Sequence, residues 1–388
     1  MSSLTGVASS WAIAKVSGPD ERLSPTWMAT ACLLNGHRPP DLDGPFRYVH
    51  LGSGDGATTS AVAAAHPDAS VWAWDWRVEH VESTRRRRDA LGLSNVTVHE
   101  RSGLPTDLGG ELADIVVVQG VMEYASNDLR DRIVKSIAAN LRPGGLVCVT
   151  YKTMVGWTEI APVVTLMRHV AQRYSGDPAR LVDHVLELLA TLREDRAQHL
   201  TERPSVVAWL DQLATASDRT IVDDYLRDRF RPMSHAQVAG ALAPTGCVYL
   251  GSARLTDDLD LNLDPTLMAI IAGAATSALR ETYRDLAVRR MVRHDVFRLG
   301  PAPLSDVECA AALAGLELAG SAPAGEPPAA ELTPDVWQRL CDGRVAAADL
   351  GADPARSVRI LLEAEQAHLV AFGGSPRDAQ QVTHTEAP

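Results

Sequence analysis

Between Phe46 and Tyr151 short apolar runs alternate without a break with longer amphipathic segments. RYVHL, SVWAWD, VTVHE, DIVVV and LVCVTY have the length and the β-branched or aromatic content of strands. TTSAVAAAHP, VESTRRRRDALGL and DLRDRIVKSIAANL, which separate them, have helical spacing. Strands joined through helices cannot pair as hairpins. They lie parallel, and the crossovers cover both faces of one open sheet. The expected fold class is therefore α/β, a Rossmann-like, mostly parallel sheet.

The chain has 388 residues, too many for one ordinary core, and its pattern changes after Trp157. APVVTLMRHVAQRY, RLVDHVLELLATLRED and SVVAWLDQLATAS repeat apolar residues every three or four positions, as amphipathic helices do. The reading is a lead-in over 1–45, a sheet domain over 46–157 whose sheet later strands could complete, and a mainly helical region over 158–300 with a strand at CVYLGSAR. After or around the Gly/Ala/Pro-rich GLELAGSAPAGEPPAAELTP comes a small helical or winged-helix unit to 372, then a disordered tail over 373–388.

A net charge of -12 argues against nucleic acid or anionic membrane as partner, because both need basic surface. The five cysteines form no CxxC pair, so neither a metal site nor a disulfide framework is expected, and a reducing cytoplasm fits. The N-terminus has no signal-peptide pattern, and no run approaches the roughly 18 apolar residues of a membrane span.

Chemistry concentrates at LGSGDG, where Gly52, Gly54 and Gly56 leave the first strand and enter a helix. Glycine allows the sharp turn and a close ligand, and the helix start offers free N–H groups. Asp75, ending the second strand, can accept hydrogen bonds from ribose hydroxyls; turn, helix and acidic strand end together form an adenosine-binding arrangement. Ser53 in the turn, His50 before it, Trp76 after Asp75, and Gln119 and Gly120 after the fourth strand complete the expected cofactor site. The turn alone leaves dinucleotides and S-adenosylmethionine open, although GxGxG is not the GxGxxG of dinucleotide enzymes.

The order and spacing of DIVVVQGVMEY, NLRPGGLVCVTY and the glycine turn resemble the class I S-adenosylmethionine-dependent methyltransferases. QGVMEYAS, VTYKTMVGW with its Gly156-Trp157, DDYL and TYRDLAVRRMVRHDVFR resemble the group with a downstream methyltransferase regulatory region, over about Leu23 to Arg298. The resemblance implies S-adenosylmethionine as cofactor, S-adenosylhomocysteine as product, and a protein, peptide or small-molecule methyl acceptor. Some members methylate protein lysines, which favours an amine acceptor; homodimerisation stays open.

The chain departs from the group's pattern at several places. His50 replaces the usual acid of the first strand, and Ser102 falls about where an Asp often meets the adenine amino group. Gln119, Glu123 and Lys152 stand where His, Ser and Asn are usual. These changes leave a catalytically weakened, scaffold-like protein as the alternative.

Methyl transfer from a sulfonium mainly needs alignment, worth about 7–11 kcal/mol at most. Loops after the fourth and fifth strands lie at the ligand-binding edge of such a sheet. Glu123, Tyr124, Tyr151 and Trp157 are therefore the candidate catalytic residues: Glu123 as base or amine anchor, the aromatics as acceptor walls. Tyr151 and Trp157 have packing roles as the plain alternative, as do His50 as a hydrogen-bonded histidine and Lys152 as a salt-bridged one.

Overall fold

The computed structural model describes residues 18–363 apart from 101–103, 105–107, 109, 227–229, 262 and 321–332, together with 367–372 and 375–376. The sequence's strand candidates become β1 (Arg47–Leu51), β2 (Ser70–Asp75), β3 (Val96–Glu100), β4 (Ala113–Gln119) and β5 (Leu141–Lys152), all parallel. Two later strands, β6 (Cys247–Ser252) and β7 (Val292–Leu299), complete a seven-stranded sheet of order β3-β2-β1-β4-β5-β7-β6. Strand β7 runs antiparallel to both its neighbours. It occupies the end of the region read as mainly helical, so the helices there are an excursion between β5 and β6.

Before the sheet, α1 (Pro25–Leu34) is capped by the Ser24 hydroxyl, which accepts from Trp27 N, with Pro25 in the first turn. The crossovers are α2 (Ala57–Ala65), α3 (Val78–Ala90) and α4 (Asn127–Asn140). Alternation along the strands sends Tyr48, Val71, Ile115, Val117 and Cys148 into one core with α1 and α2. Val49, Trp72, Trp74, Val116, Val118 and Val149 enter the other, with α4.

The excursion opens with α5 (Met154–Trp157), α6 (Ala161–Arg173) and α7 (Leu181–Glu194). It continues through α8 (Gln198–Thr201), α9 (Pro204–Leu213), α10 (Asp218–Tyr225) and α11 (His235–Leu242) to β6. Trp157, Trp209, Tyr225 and Met291 anchor its own core. A Cβ at Gly156 would stand 2.4 Å from the Arg290 carbonyl oxygen and 2.6 Å from Met291 Cα. Only glycine lets α5 lie flat against the chain entering β7, and this seats the Trp157 indole, which donates to Met291 O at 3.1 Å.

Between β6 and β7 come α12 (Pro265–Ala272) and α13 (Ser277–Val288). A buried ion network ties α13 to the sheet. The Arg293 guanidinium donates to Asp295 at 2.7 Å, to Asp285 at 2.6 Å and to Glu281 at 2.6 Å, and every one of these side chains is at most 4% exposed. After the sheet, α14 (Asp306–Ala314), α15 (Pro334–Asp342) and α16 (Pro354–Glu363) join a four-stranded antiparallel sheet of β8 (Glu317–Gly320), β9 (Arg344–Ala346), β10 (Ala367–Phe372) and β11 (Ser375–Pro376). This is the unit expected as helical or winged-helix. Arg359 of α16 docks it by donating to the carbonyls of Leu255 and Leu34. The expected disordered tail falls outside the described residues apart from 375–376.

Candidate functional site

In the sheet order, β1 has β2 on one side and β4 on the other, so the connections leaving β1 and β4 part in opposite directions. Such a switch point leaves a crevice beyond the carboxyl ends of the two strands. The glycine turn and the Gln119–Gly120 turn meet there. A Cβ on Gly52, whose φ is +84°, would fall 2.4 Å from Gln119 O and 2.5 Å from Val121 Cγ2. Glycine is thus required both by conformation and by approach. Gly54 follows, Gly56 is the N-cap of α2, and Gly120 N donates to the Thr150 carbonyl and hydroxyl.

Asp75 is 3% exposed, and its carboxylate gathers this end of the sheet. Oδ2 accepts from Gly54 N at 3.0 Å and pairs with His80 Nδ1 at 3.1 Å, while Oδ1 accepts from Arg77 N at 2.9 Å. A carboxylate has about four acceptor positions, so three are filled. Receiving two ribose hydroxyls requires one protein donor to yield, and His80 is the one on a movable side chain. Neither His80 nor Thr59 stands out in the sequence; a histidine five residues beyond Asp75, on the first turns of α3, is the available signal. Trp76 lies beside Trp74, ring centroids 6.0 Å apart. Ser53 Oγ is buried and has no hydrogen-bond partner, which is what a polar group awaiting a ligand looks like. Ser102 lies outside the described residues.

His50 is wholly buried on β1. Its Nδ1 lies 3.0 Å from Thr59 Oγ1 on α2 and its Nε2 2.9 Å from Gln119 Oε1 on β4. The amide oxygen can only accept, so Nε2 carries the proton and Nδ1 receives the threonine hydroxyl: the ring is neutral. Burial lowers its pKa from 6.5 to about 4, against the smaller opposing pull of Gln119 and Asp75. An unfolded chain therefore binds this proton between those pH values and the folded one does not, so stability falls as pH drops through the window. The loss expected from His50 between pH 6.5 and pH 4 is about 3 kcal/mol. Urea melts across that range should show it in the parent and a flatter profile in His50→Gln.

At the ends of β4 and β5 the candidate acceptor residues divide. Glu123 is 2% exposed; Oε1 accepts from Lys152 N at 3.3 Å and Oε2 has no partner. Burial raises its pKa despite the nearby Lys152. The Lys152 ammonium donates to Tyr124 Oη at 3.0 Å, lies 3.9 Å from Asp224 Oδ1, and sits 5.3 Å and 5.4 Å from the ring centroids of Tyr124 and Trp157. Burial would deprotonate it; the Tyr124 oxygen and the carboxylates of Asp224 and Glu123 outweigh burial and hold it charged. Tyr124 in turn is pushed up to about 12 by burial and donates to Asp224 O.

The structure thus brings Glu123, Tyr124, Lys152 and Trp157 together around one alkylammonium. Tyr151 is not among them. It alternates to the other face of β5, where its hydroxyl donates to Asp295 Oδ2 at 2.5 Å, the oxygen also held by His235 Nδ1 at 2.8 Å. Among the described residues no histidine, cysteine and carboxylate group could hold a metal, and no helix is long and apolar enough to cross a membrane.

A family model described as a methyltransferase domain matches residues 49–145, and one described as a predicted methyltransferase regulatory domain matches 217–298. The curated relatives include the uncharacterized protein sll1526 of Synechocystis sp., 26% identical over 300 residues, covering 76% of this chain and 59% of that protein. Another is the uncharacterized protein RP789 of Rickettsia prowazekii, 20% identical over 272 residues, covering 70% of this chain and 49% of that one. The chain therefore spans about half to three-fifths of the length of these relatives. Among solved structures, PKMT2 from Rickettsia typhi superposes with a TM-score of 0.65 at 18% identity, over 79% of this chain and 59% of that one. Its complex with AdoHcy gives 0.64 at 19%, with the same coverage. At such identity the likeness shows the fold. With that fold, and with the two matches in the order in which the switch-point crevice and the helical excursion follow each other, the chain is similar to the class I methyltransferases that carry a downstream methyltransferase regulatory domain.

Proposed function

We propose that the protein transfers a methyl group from S-adenosylmethionine to an amine on a protein or peptide. The observation that carries the donor half is the crevice between the β1 and β4 ends. There a glycine turn that tolerates no Cβ at Gly52, a buried Asp75 and an orphaned Ser53 hydroxyl converge. These residues fit the donor: Asp75 for the ribose, Trp76 for the adenine face, the turn and Gln119 for the methionine portion. The bound donor supplies an activated methyl group on a sulfonium. The AdoHcy complex of the structural neighbour supports the same reading.

The amine half rests on the surroundings of Lys152. Two aromatic rings and an acidic pair stabilise an alkylammonium there, and Glu123 keeps one buried oxygen open to an N–H. An acceptor amine reaches its nucleophilic form by losing a proton, and Glu123, raised by burial, is placed to take it. The resemblance to a group with protein lysine methyltransferases points the same way.

A second reading, a methyltransferase-like binding protein with reduced catalysis, is favoured by one observation: the chain's own Lys152 fills the aromatic box. Incubating the protein with isotope-labelled S-adenosylmethionine and a cell lysate separates the two. The enzyme yields proteins or peptides heavier by one labelled methyl at an amine, lost in Glu123→Gln. Labelled product confined to small metabolites would overturn the acceptor class, and no product at all would favour the second reading.

A further inference from the structure

A surface helix ordinarily turns its apolar side inward and its charges to water. Helix α13 does the reverse. Glu281 and Asp285, four residues apart on one side, are buried and accept from the Arg293 guanidinium of β7. On the opposite side Leu279, Tyr283 and Leu286 recur at four- and three-residue steps, Tyr283 half-buried and both leucines exposed, Leu286 at 62%. The helix cannot roll to cover this stripe without drawing two carboxylates away from their buried cation. Helix α12, which packs against α13, adds to the apolar surface. Its eight residues, PTLMAIIA, include no charge, and Ile271 alone among them is buried; Leu267, Met268 and Ile270 are exposed. Exposed leucines, a methionine and an isoleucine on two adjoining helices form the kind of patch that marks an interaction surface.

We propose that the α12–α13 hairpin is a homodimer face, on which a second copy of this chain packs its own α12 and α13 about a two-fold axis. Three features select that occupant. The chain carries a net charge of -12, so most of its surface repels a copy of itself, whereas uncharged α12 does not. The two ends of the face carry opposite charges. Asp264 is exposed and caps α12, while Arg280, in the first turn of α13, makes no ion pair among the described residues. Residues 273–276 are a link short enough to run the helices antiparallel, which puts Asp264 and Arg280 towards opposite ends of the hairpin. A two-fold axis through its middle then sets Arg280 of each copy over Asp264 of the other. The area also suffices. At 1.5 Å per residue the helices are about 12 Å and 18 Å long, and side by side they make a face about 20 Å wide. Two such faces in contact bury about 1,000 Å², where specific interfaces begin.

Sedimentation equilibrium of the full chain tests this. The parent is expected to approach the mass of two chains at about 100 µM and to dissociate on dilution to about 1 µM. Leu286→Glu puts a charge into the apolar stripe and is expected to weaken association at least about tenfold. Because Leu286 is exposed, the circular dichroism of that variant should match the parent's. Leu91→Glu, at an equally exposed leucine after α3, should leave the dimer intact. Arg280→Glu should weaken it as well. Adding Asp264→Asn removes the like charge opposite and keeps an N-cap for α12, so it should restore part of that loss. A parent that stays monomeric at about 100 µM overturns the inference. So does a dimer indifferent to Leu286→Glu, or one that Leu91→Glu weakens equally. The methyl-donor reading does not depend on the outcome.

Discussion

On the proposed methyl-donor reading, an Asp75→Ala chain is expected to bind S-adenosylhomocysteine at least about 100-fold more weakly than the parent, since the two hydrogen bonds proposed from ribose to this buried carboxylate are lost together. The change also frees Gly54 N, Arg77 N and the His80 ring, all of which Asp75 now holds. The turn therefore loses its brace as well as the proposed ribose acceptor. Asp75→Asn distinguishes the two effects. Its amide oxygen can still accept from Gly54 or Arg77 while its NH2 opposes the remaining donors, so the turn is partly retained and affinity still falls. Calorimetry checks the binding, and circular dichroism of each variant checks that it is folded. Parent-like affinity in a folded Asp75→Ala chain would remove Asp75 from the donor site.

The second large effect is expected far from the crevice, at Arg293. Arg293→Met conserves much of the volume but leaves Glu281, Asp285 and Asp295 sharing a buried site without their common cation. Breaking a buried pair from one side costs about 3–5 kcal/mol, and here three carboxylates lose the same partner. The urea midpoint should fall sharply, or the chain should fail to accumulate in soluble form. The pH dependence carries a second signature. Burial would raise the Asp295 carboxyl, but Arg293 and His235 outweigh it and hold it well below the usual carboxylate range. Its stabilisation is therefore complete above the unfolded carboxylate pKa and is lost only as pH falls through the depressed folded value. In Arg293→Met the acid loss should begin at higher pH. A variant that melts like the parent at both neutral and acid pH would show the network to be energetically neutral.

The same network explains where the sequence was hard to read. Strands β1 to β5 announce themselves because both faces of a parallel sheet are apolar, and runs such as DIVVV have few other uses. Strand β7 is buried too, yet its inward positions include Arg293 and Asp295, which neutralise each other inside the protein. With charged residues at inward positions the segment lacks the apolar run that marks a buried strand, so the sequence alone leaves it inside a mainly helical region. The crevice divides similarly. Its glycines and Asp75 follow from chain-local spacing. His80 and Thr59 join only because α3 and α2 pack against strand ends, and the Glu123–Lys152 contact spans two loops whose separation no local pattern records. Tyr151 illustrates the reverse: placed beside Lys152 in sequence, it is carried to the opposite face by the two-residue period of a strand.

The route of the chain through the sheet also decides how the protein can be dissected. The stretch matching the methyltransferase domain ends at residue 145, inside β5, whereas the neighbour that covers β5 arrives only at Val292. A fragment cut where the sequence pattern changes, after Trp157, would present β5 as a long bare edge with Val147 and Val149 beside unpaired backbone, a template for aggregation. The smallest piece that closes its own sheet must run through Leu299, so the helical excursion travels with the donor crevice in any shortened version. The two family matches are separable as descriptions, but the sheet that holds the first is completed by a strand that lies in the second.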